Sequence, residues 1–148
     1  MRTAESLIEQ LLRVFPQRQI DGPAAPHGCE ECTAISAVLD SSTWPDLTSE
    51  FLETNAGALP LLTQDAYRAF LAAWLREGVL QPDSEVAAMV LINLGSEPDT
   101  TGFTRAEAGA IIDAAKYIGR SNFWGCRDDP MNAERVAAVE QVWSHVDA

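Results

Sequence analysis

The sequence predicts an all-α fold: a compact single-domain bundle of about six to seven helices spanning residues 1–148. Three observations carry that prediction. Nearly every apolar cluster recurs at the three- and four-residue spacing that places side chains on one face of a helix. No stretch sustains the apolar–polar alternation of a half-buried strand bounded by hairpin turns. The chain of 148 residues, 47% hydrophobic and 22% charged, has the size and composition of one globular unit, with no internal repeat or low-complexity tract to divide it.

The first helix is expected from Thr3 to Phe15, with Leu7, Ile8, Leu11, Leu12 and Phe15 on one face. Pro16 closes it, because proline lacks the N–H that would continue the ladder. The segment QRQIDGPAAPHG, with Gly22, Pro23, Pro26 and Gly28, is an irregular connection. A second helix follows from Cys29 to Leu39, turning Cys32, Ile35, Val38 and Leu39 inward, and it ends before DSSTWPD. Thr48 caps a short third helix reaching Thr54, after which NAGALP breaks the chain. Thr63 caps the fourth, where Tyr67, Phe70, Leu71, Trp74 and Leu75 form a broad aromatic face and Gly78 is the expected stop.

In DSEVAAMVLINLG so little of the circumference is polar that the fifth helix is expected at the centre of the bundle. Thr104 and Glu107 make a capping box that opens the sixth, in which Ala108, Ile111, Ile112, Ala115 and Ile118 form the packing face and Gly119 the expected end. The segment RSNFWGCRDDP leads to a last helix from Met131 to Val146, packed by Val136, Val139, Val142, Trp143 and Val146.

Ten basic residues against 22 acidic ones leave a formal charge of -12, a field that repels phosphate backbones and anionic lipid. Nucleic-acid and membrane-surface roles are therefore disfavoured. No run is long and apolar enough for a membrane helix, and Glu5, Glu9 and Gln10 interrupt the region where a signal peptide needs an apolar block, so a cytoplasmic protein is expected. Strong negative charge keeps a protein soluble, and it also steers association with a basic partner.

The stretch PHGCEEC is the part of the chain that looks chosen for chemistry. His27, Cys29 and Cys32 offer three donors suited to zinc, which takes four N or S ligands in a structural site; Cys126, before the last helix, is the candidate fourth, with His145 further on. A second paired ligand set of the CxxC or HxxxH kind is missing. A reactive thiol pair is a different reading, since Cys29 at a helix N-terminus would have its thiolate stabilised by the macrodipole and free N–H groups. Glu30 and Glu31 between the cysteines oppose that ionisation, and the strand–helix setting of a thioredoxin-like site is absent. The plainest reading is helix initiation, with acids in the first turn complementing the dipole, Gly28 allowing a sharp turn and Cys32 buried as a small hydrophobe. Zinc is the main competitor.

The sequence contains no GxGxxG, P-loop, GxSxG or HExxH motif. Asp99, Asp128 and Asp129 sit in turn-forming contexts and do not read as an acid/base pair.

HGCEEC, then WPDL, ALPLLTQDAYRAFLAAWL and FTRAEAGAIIDAAKYI, over about residues 5 to 118, together resemble a bacterial domain-of-unknown-function family with an HxCxxC, Trp and ALPLLTxxAY pattern. That resemblance implies a shared compact fold and no particular reaction, and it draws attention to His27, Cys29 and Cys32.

The functional expectation is a non-enzymatic acidic protein that binds another protein, in its most concrete form a cytosolic immunity or antitoxin-type inhibitor covering the basic active site of a toxin. Candidate contacts are Glu50, Glu53, Asp83, Glu85, Glu97 and Asp99, with Trp44 or Trp124 as an aromatic anchor. The alternative is a small zinc protein, structural or catalytic, with His27, Cys29 and Cys32 as ligands.

Overall fold

The computed structural model describes residues 2–121 and 130–146. Seven α-helices make up the fold of these residues: α1 (Ala4–Val14), α2 (Glu30–Leu39), α3 (Ser49–Thr54), α4 (Gln64–Leu80), α5 (Glu85–Gly95), α6 (Arg105–Arg120) and α7 (Pro130–Trp143). Short 3-10 turns at Trp44–Asp46 and Leu59–Leu61 sit where DSSTWPD and NAGALP break the helical pattern. Each has a proline in its first turn, where the missing N–H costs no internal bond.

Capping sets the helix starts. Thr3, Thr48, Thr63, Ser84 and Thr104 each accept, on the side-chain oxygen, a main-chain N–H from the third residue of the helix they precede. At α6 the box is reciprocal: the Glu107 N–H donates to Thr104 Oγ1 at 3.1 Å, and the Thr104 N–H donates to Glu107 Oε1 at 2.7 Å. At α1 Ser6 plays the part of Glu107.

The central helix is α4. It packs against α1, α3, α5, α6 and the turn at Trp44–Asp46. Its small residues, Ala66, Ala69, Ala72 and Ala73, are buried along with Phe70, Leu71, Trp74 and Leu75, so almost the whole circumference is covered. This corrects the expectation for α5. One side of α5 is buried through Val86, Ala87, Val90, Leu91 and Leu94, but Met89 is only half-buried and Ile92 is 40% exposed. On the other side of the bundle α7 packs against α5 and α6.

Gly78 and Gly119 do not end their helices, because both serve close helix contacts. A methyl at Gly78 would lie 2.9 Å from Ile118 Cδ1 and 3.4 Å from Ala87 Cα, and one at Gly119 would lie 2.4 Å from Val136 Cγ2. Gly95 faces Ala138 in the same way, at 3.0 Å. These three positions let α4, α5, α6 and α7 approach more closely than a larger residue would allow. Two further positions differ from expectation: Val38 and Leu12 lie at the solvent side of their helices, 37% and 44% exposed.

Three buried tryptophans tie helix ends to the rest. Trp44 Nε1 donates to the carbonyl of Phe15, the residue after α1; Trp74 Nε1 donates to that of Asn55, the residue after α3; and Trp143 Nε1 donates to Leu94 near the end of α5. The last carbonyls of a helix have no partner within it, so each indole satisfies both itself and a helix terminus. Phe103 stands edge-on to Trp143, with ring centroids 4.9 Å apart, and Tyr67 edge-on to Phe103 at 5.9 Å.

The connection from α1 to α2 is irregular but pinned. Thr63 N–H donates to Ala24 O at 2.8 Å, Ala25 N–H to Ser36 Oγ at 3.2 Å, and Arg18 pairs with Asp65 at 2.8 Å. The Arg18 guanidinium, helped by the Asp21 N–H, holds the Asp65 carboxyl below the usual carboxylate range. A carboxylate depressed in the folded state stabilises the fold above its unfolded pKa of about 4 and loses that contribution as pH falls through the lower folded value. Arg18→Ala is expected to raise the Asp65 midpoint in a carboxyl NMR titration. Its stability deficit, under about 1 kcal/mol for so exposed a pair, should vanish at the acid end where Asp65 is protonated in both proteins.

No described helix is long and apolar enough to cross a membrane.

Candidate functional site

Cys29 is the N-cap of α2. Its Sγ takes the place of the usual cap oxygen and accepts the Cys32 N–H at 3.4 Å, while Thr33 Oγ1 donates to the Cys29 carbonyl at 2.8 Å. Cys29 is exposed; Cys32, one turn on, is 1% exposed and packs beside Ile35 and Leu39 on the inner face of α2.

These contacts split the pair. The main-chain N–H and the thiol of Cys32 lower the Cys29 pKa, more strongly than burial and the charge of Glu31 raise it. Cys32 is pushed up, first by its role as donor to Cys29 and then by desolvation. Glu31 opposes ionisation of the thiol as expected, but hydrogen bonds to the sulfur outweigh it at this cap. Gly28 is not the special turn residue either, since the left-handed positions among the described residues are Gly22, Glu97 and Gly102.

His27 is exposed, two residues before the cap. Among the described residues no three His, Cys, Asp or Glu side chains converge as a metal-binding group. Cys126 lies outside the described residues, as do Trp124, Asp128 and Asp129. His145 is exposed at the end of α7, with Gln141 as its neighbour at 3.4 Å.

The second feature is a cleft of about 390 Å³ between the turn at Leu59–Leu61, the start of α4 and the outer side of α5. Leu59, Pro60 and Leu62 form one wall and Met89 and Ile92 the other. Tyr67 lies between them, its hydroxyl donating to Asn93 Oδ1 at 2.6 Å, and burial pushes the phenol pKa up so that it stays a neutral donor. Gln64, Ser96, Pro98 and Asp99 also line it. Gln64 Nε2 donates to the carbonyls of Asp99 and Thr101, which fixes that side against α4. A shallower depression of about 290 Å³ adjoins it across Ile92 and Ser96 and runs on to Met131, Glu134 and Ala138 of α7.

The charge around the cleft follows from helix geometry. Glu85, Met89 and Ile92 fall on one face of α5, with Ser96 following as its C-cap, so the exposed Glu85 stands at one end of the apolar strip. At the other end are Glu97 and Asp99, both exposed. Glu97 has φ 54°, a left-handed conformation that costs a non-glycine residue about 1 kcal/mol, and it follows directly on Ser96 of the cleft. Asp99 is held below the usual carboxylate range by the Thr101 hydroxyl and N–H.

All six acids expected as contacts, Glu50, Glu53, Asp83, Glu85, Glu97 and Asp99, are exposed, and none joins the ion pairs Arg2–Asp113, Arg18–Asp65 or Lys116–Glu140. Trp44 is not a surface anchor. It is fully buried, with Arg76 5.5 Å above its ring. The cleft itself went unanticipated in the sequence. Its signal was Asn93, a lone amide in the apolar run VLINLG, which no packing role required.

No family model matches the chain, and no curated protein or solved structure is similar enough to be matched to it.

Proposed function

We propose that the protein acts by binding another protein, a basic partner that sets an apolar side chain into the cleft between α4 and α5. The observation that carries this reading is the apolar lining of Leu59, Leu62, Met89 and Ile92, with Asp99 in the same lining, exposed Glu97 directly after Ser96 of the cleft and exposed Glu85 one turn before Met89 on α5. Such an arrangement divides the work of recognition. Burying one large apolar side chain supplies affinity, on the order of 1.5–3 kcal/mol, while the acids select a positively charged surface and speed its approach. An excess of 12 acidic over basic residues, 22 less 10, extends the same field over the molecule.

In its most specific form the partner is a basic toxin whose substrate site is covered by this acidic face, an immunity or antitoxin-type inhibition in the cytoplasm. Inhibition then needs no chemistry. Occupying the site and repelling an anionic substrate suffice.

The test begins with purification from the native cell at low salt, followed by affinity measurements on the recovered partner. Binding is expected to weaken steeply between ~50 and ~500 mM salt, where the Debye length shrinks from about 14 to about 4 Å. Ile92→Glu, at a position already 40% exposed and so tolerant of charge, should cut affinity by roughly tenfold or more, and Glu97→Lys with Asp99→Lys should slow association most. A partner whose affinity ignores salt and all three substitutions would overturn the reading, as would recovery of no partner.

A further inference from the structure

We infer that Cys29 and Cys32 form a redox-active dithiol that exchanges with disulfides, Cys29 attacking and Cys32 resolving, with a preference for disulfides carrying positive charge. The assignment of roles rests on geometry and is independent of the cleft. Cys29 is exposed at the N-cap, so it is the sulfur that an outside disulfide can reach in line. Cys32 is shielded from solvent and is the third residue of the helix that Cys29 caps, its N–H on Cys29 Sγ at 3.4 Å, so it can attack only a bond that Cys29 has already formed. The same N–H that caps Cys29 at 3.4 Å stabilises a thiolate there, as does the helix terminus.

The reaction balances without a cofactor. Cys29 thiolate attacks one sulfur of R–S–S–R, forming a Cys29–S–S–R bond and expelling RS⁻, which takes up a proton. The Cys32 thiol gives up its proton and attacks Cys29 Sγ; the Cys29–Cys32 bond forms, the mixed disulfide breaks and a second RS⁻ leaves and is protonated. Two thiols are oxidised, one disulfide is reduced, and two electrons pass between them.

Glu30 and Glu31, both exposed in the first turn, set the preference. They stand beside the attacking sulfur, repelling an anionic disulfide and drawing in a cationic one.

The experiment uses the full chain with Cys126→Ser, so that every thiol signal belongs to the pair. Reduced protein is mixed with cystamine or with oxidised glutathione and followed by mass spectrometry. The expected product is the intramolecular Cys29–Cys32 disulfide, reached about tenfold faster with cystamine, a ratio that should fall towards one in Glu30→Gln/Glu31→Gln. Cys32→Ala should trap cysteamine on Cys29, and Cys29→Ser should take up neither reagent. Peptide mapping of the oxidised protein with Cys126 intact provides the same readout should a variant fail to fold. The inference is overturned by a stable adduct on Cys29 with Cys32 present, by equal rates for the two reagents, or by a stoichiometric zinc ion whose removal is needed before either thiol reacts.

Discussion

Trp74→Ala is expected to lower the free energy of unfolding by about 3–5 kcal/mol, a large share of the ~5–15 kcal/mol that holds a domain of this size together. Trp74 is fully buried on the helix that touches most of the others, so the space left by its ring has walls from several elements and cannot collapse by moving one of them. Phe51 would lose its edge-on partner, now 6.2 Å away between centroids at 70°. Trp74→Phe separates size from hydrogen bonding. The Asn55 carbonyl would keep the Ala58 N–H and lose only the indole, so about 0.5–1.5 kcal/mol of the loss should belong to that bond. Urea unfolding followed by far-ultraviolet circular dichroism measures both. A Trp74→Ala midpoint close to wild type would mean that α4 is not the hub of the core.

Gly119→Ala should destabilise the protein, against the usual effect of that change within a helix. Helix propensity alone favours alanine by about 0.8–1 kcal/mol. The new methyl, however, would meet Val136 Cγ2 at 2.4 Å, and a valine in a helix has one strongly preferred rotamer, so relief must come from shifting α7. Overpacking of that kind costs about 1–3 kcal/mol and outweighs the propensity. Two companions make the argument specific. Gly109→Ala, in the same helix with nothing within 4 Å, should stabilise by the propensity alone. In a Val136→Ala background Gly119→Ala should turn from destabilising to stabilising, a coupling of about 1–3 kcal/mol in a double-mutant cycle.

The helix starts were legible because a cap is a local device. Thr48, Thr63 and Thr104 could be read from a hydroxyl three residues ahead of an N–H, and all three cap as expected, while Thr3, expected as the first residue of α1, is its cap. The stops at Gly78 and Gly119 were misread for the opposite reason. A glycine that ends a helix and one that admits a neighbouring helix are the same residue, and only the arrival of Ile118 or Val136, distant in sequence, distinguishes them. The placing of α5 failed similarly. Its apolar circumference fits a central helix, but the face bearing Met89 and Ile92 lines an open cleft, while the alanines of α4, weak as a hydrophobic signal, mark the helix that is enclosed. At the cysteine turn the spacing was legible and the balance was not. Glu30 and Glu31 are visible as charges, whereas the aim of a single N–H at Cys29 Sγ exists only once the helix has formed.

The three interior indoles make the folded chain its own spectroscopic instrument. Each ring sits at a different seam, after α1, after α3 and near the end of α5, and each N–H is held by one main-chain oxygen. Replacing the other two and Trp124 by phenylalanine leaves one tryptophan whose red shift dates the moment at which water reaches that seam. The order in which the seams open during denaturation can then be timed with no added dye.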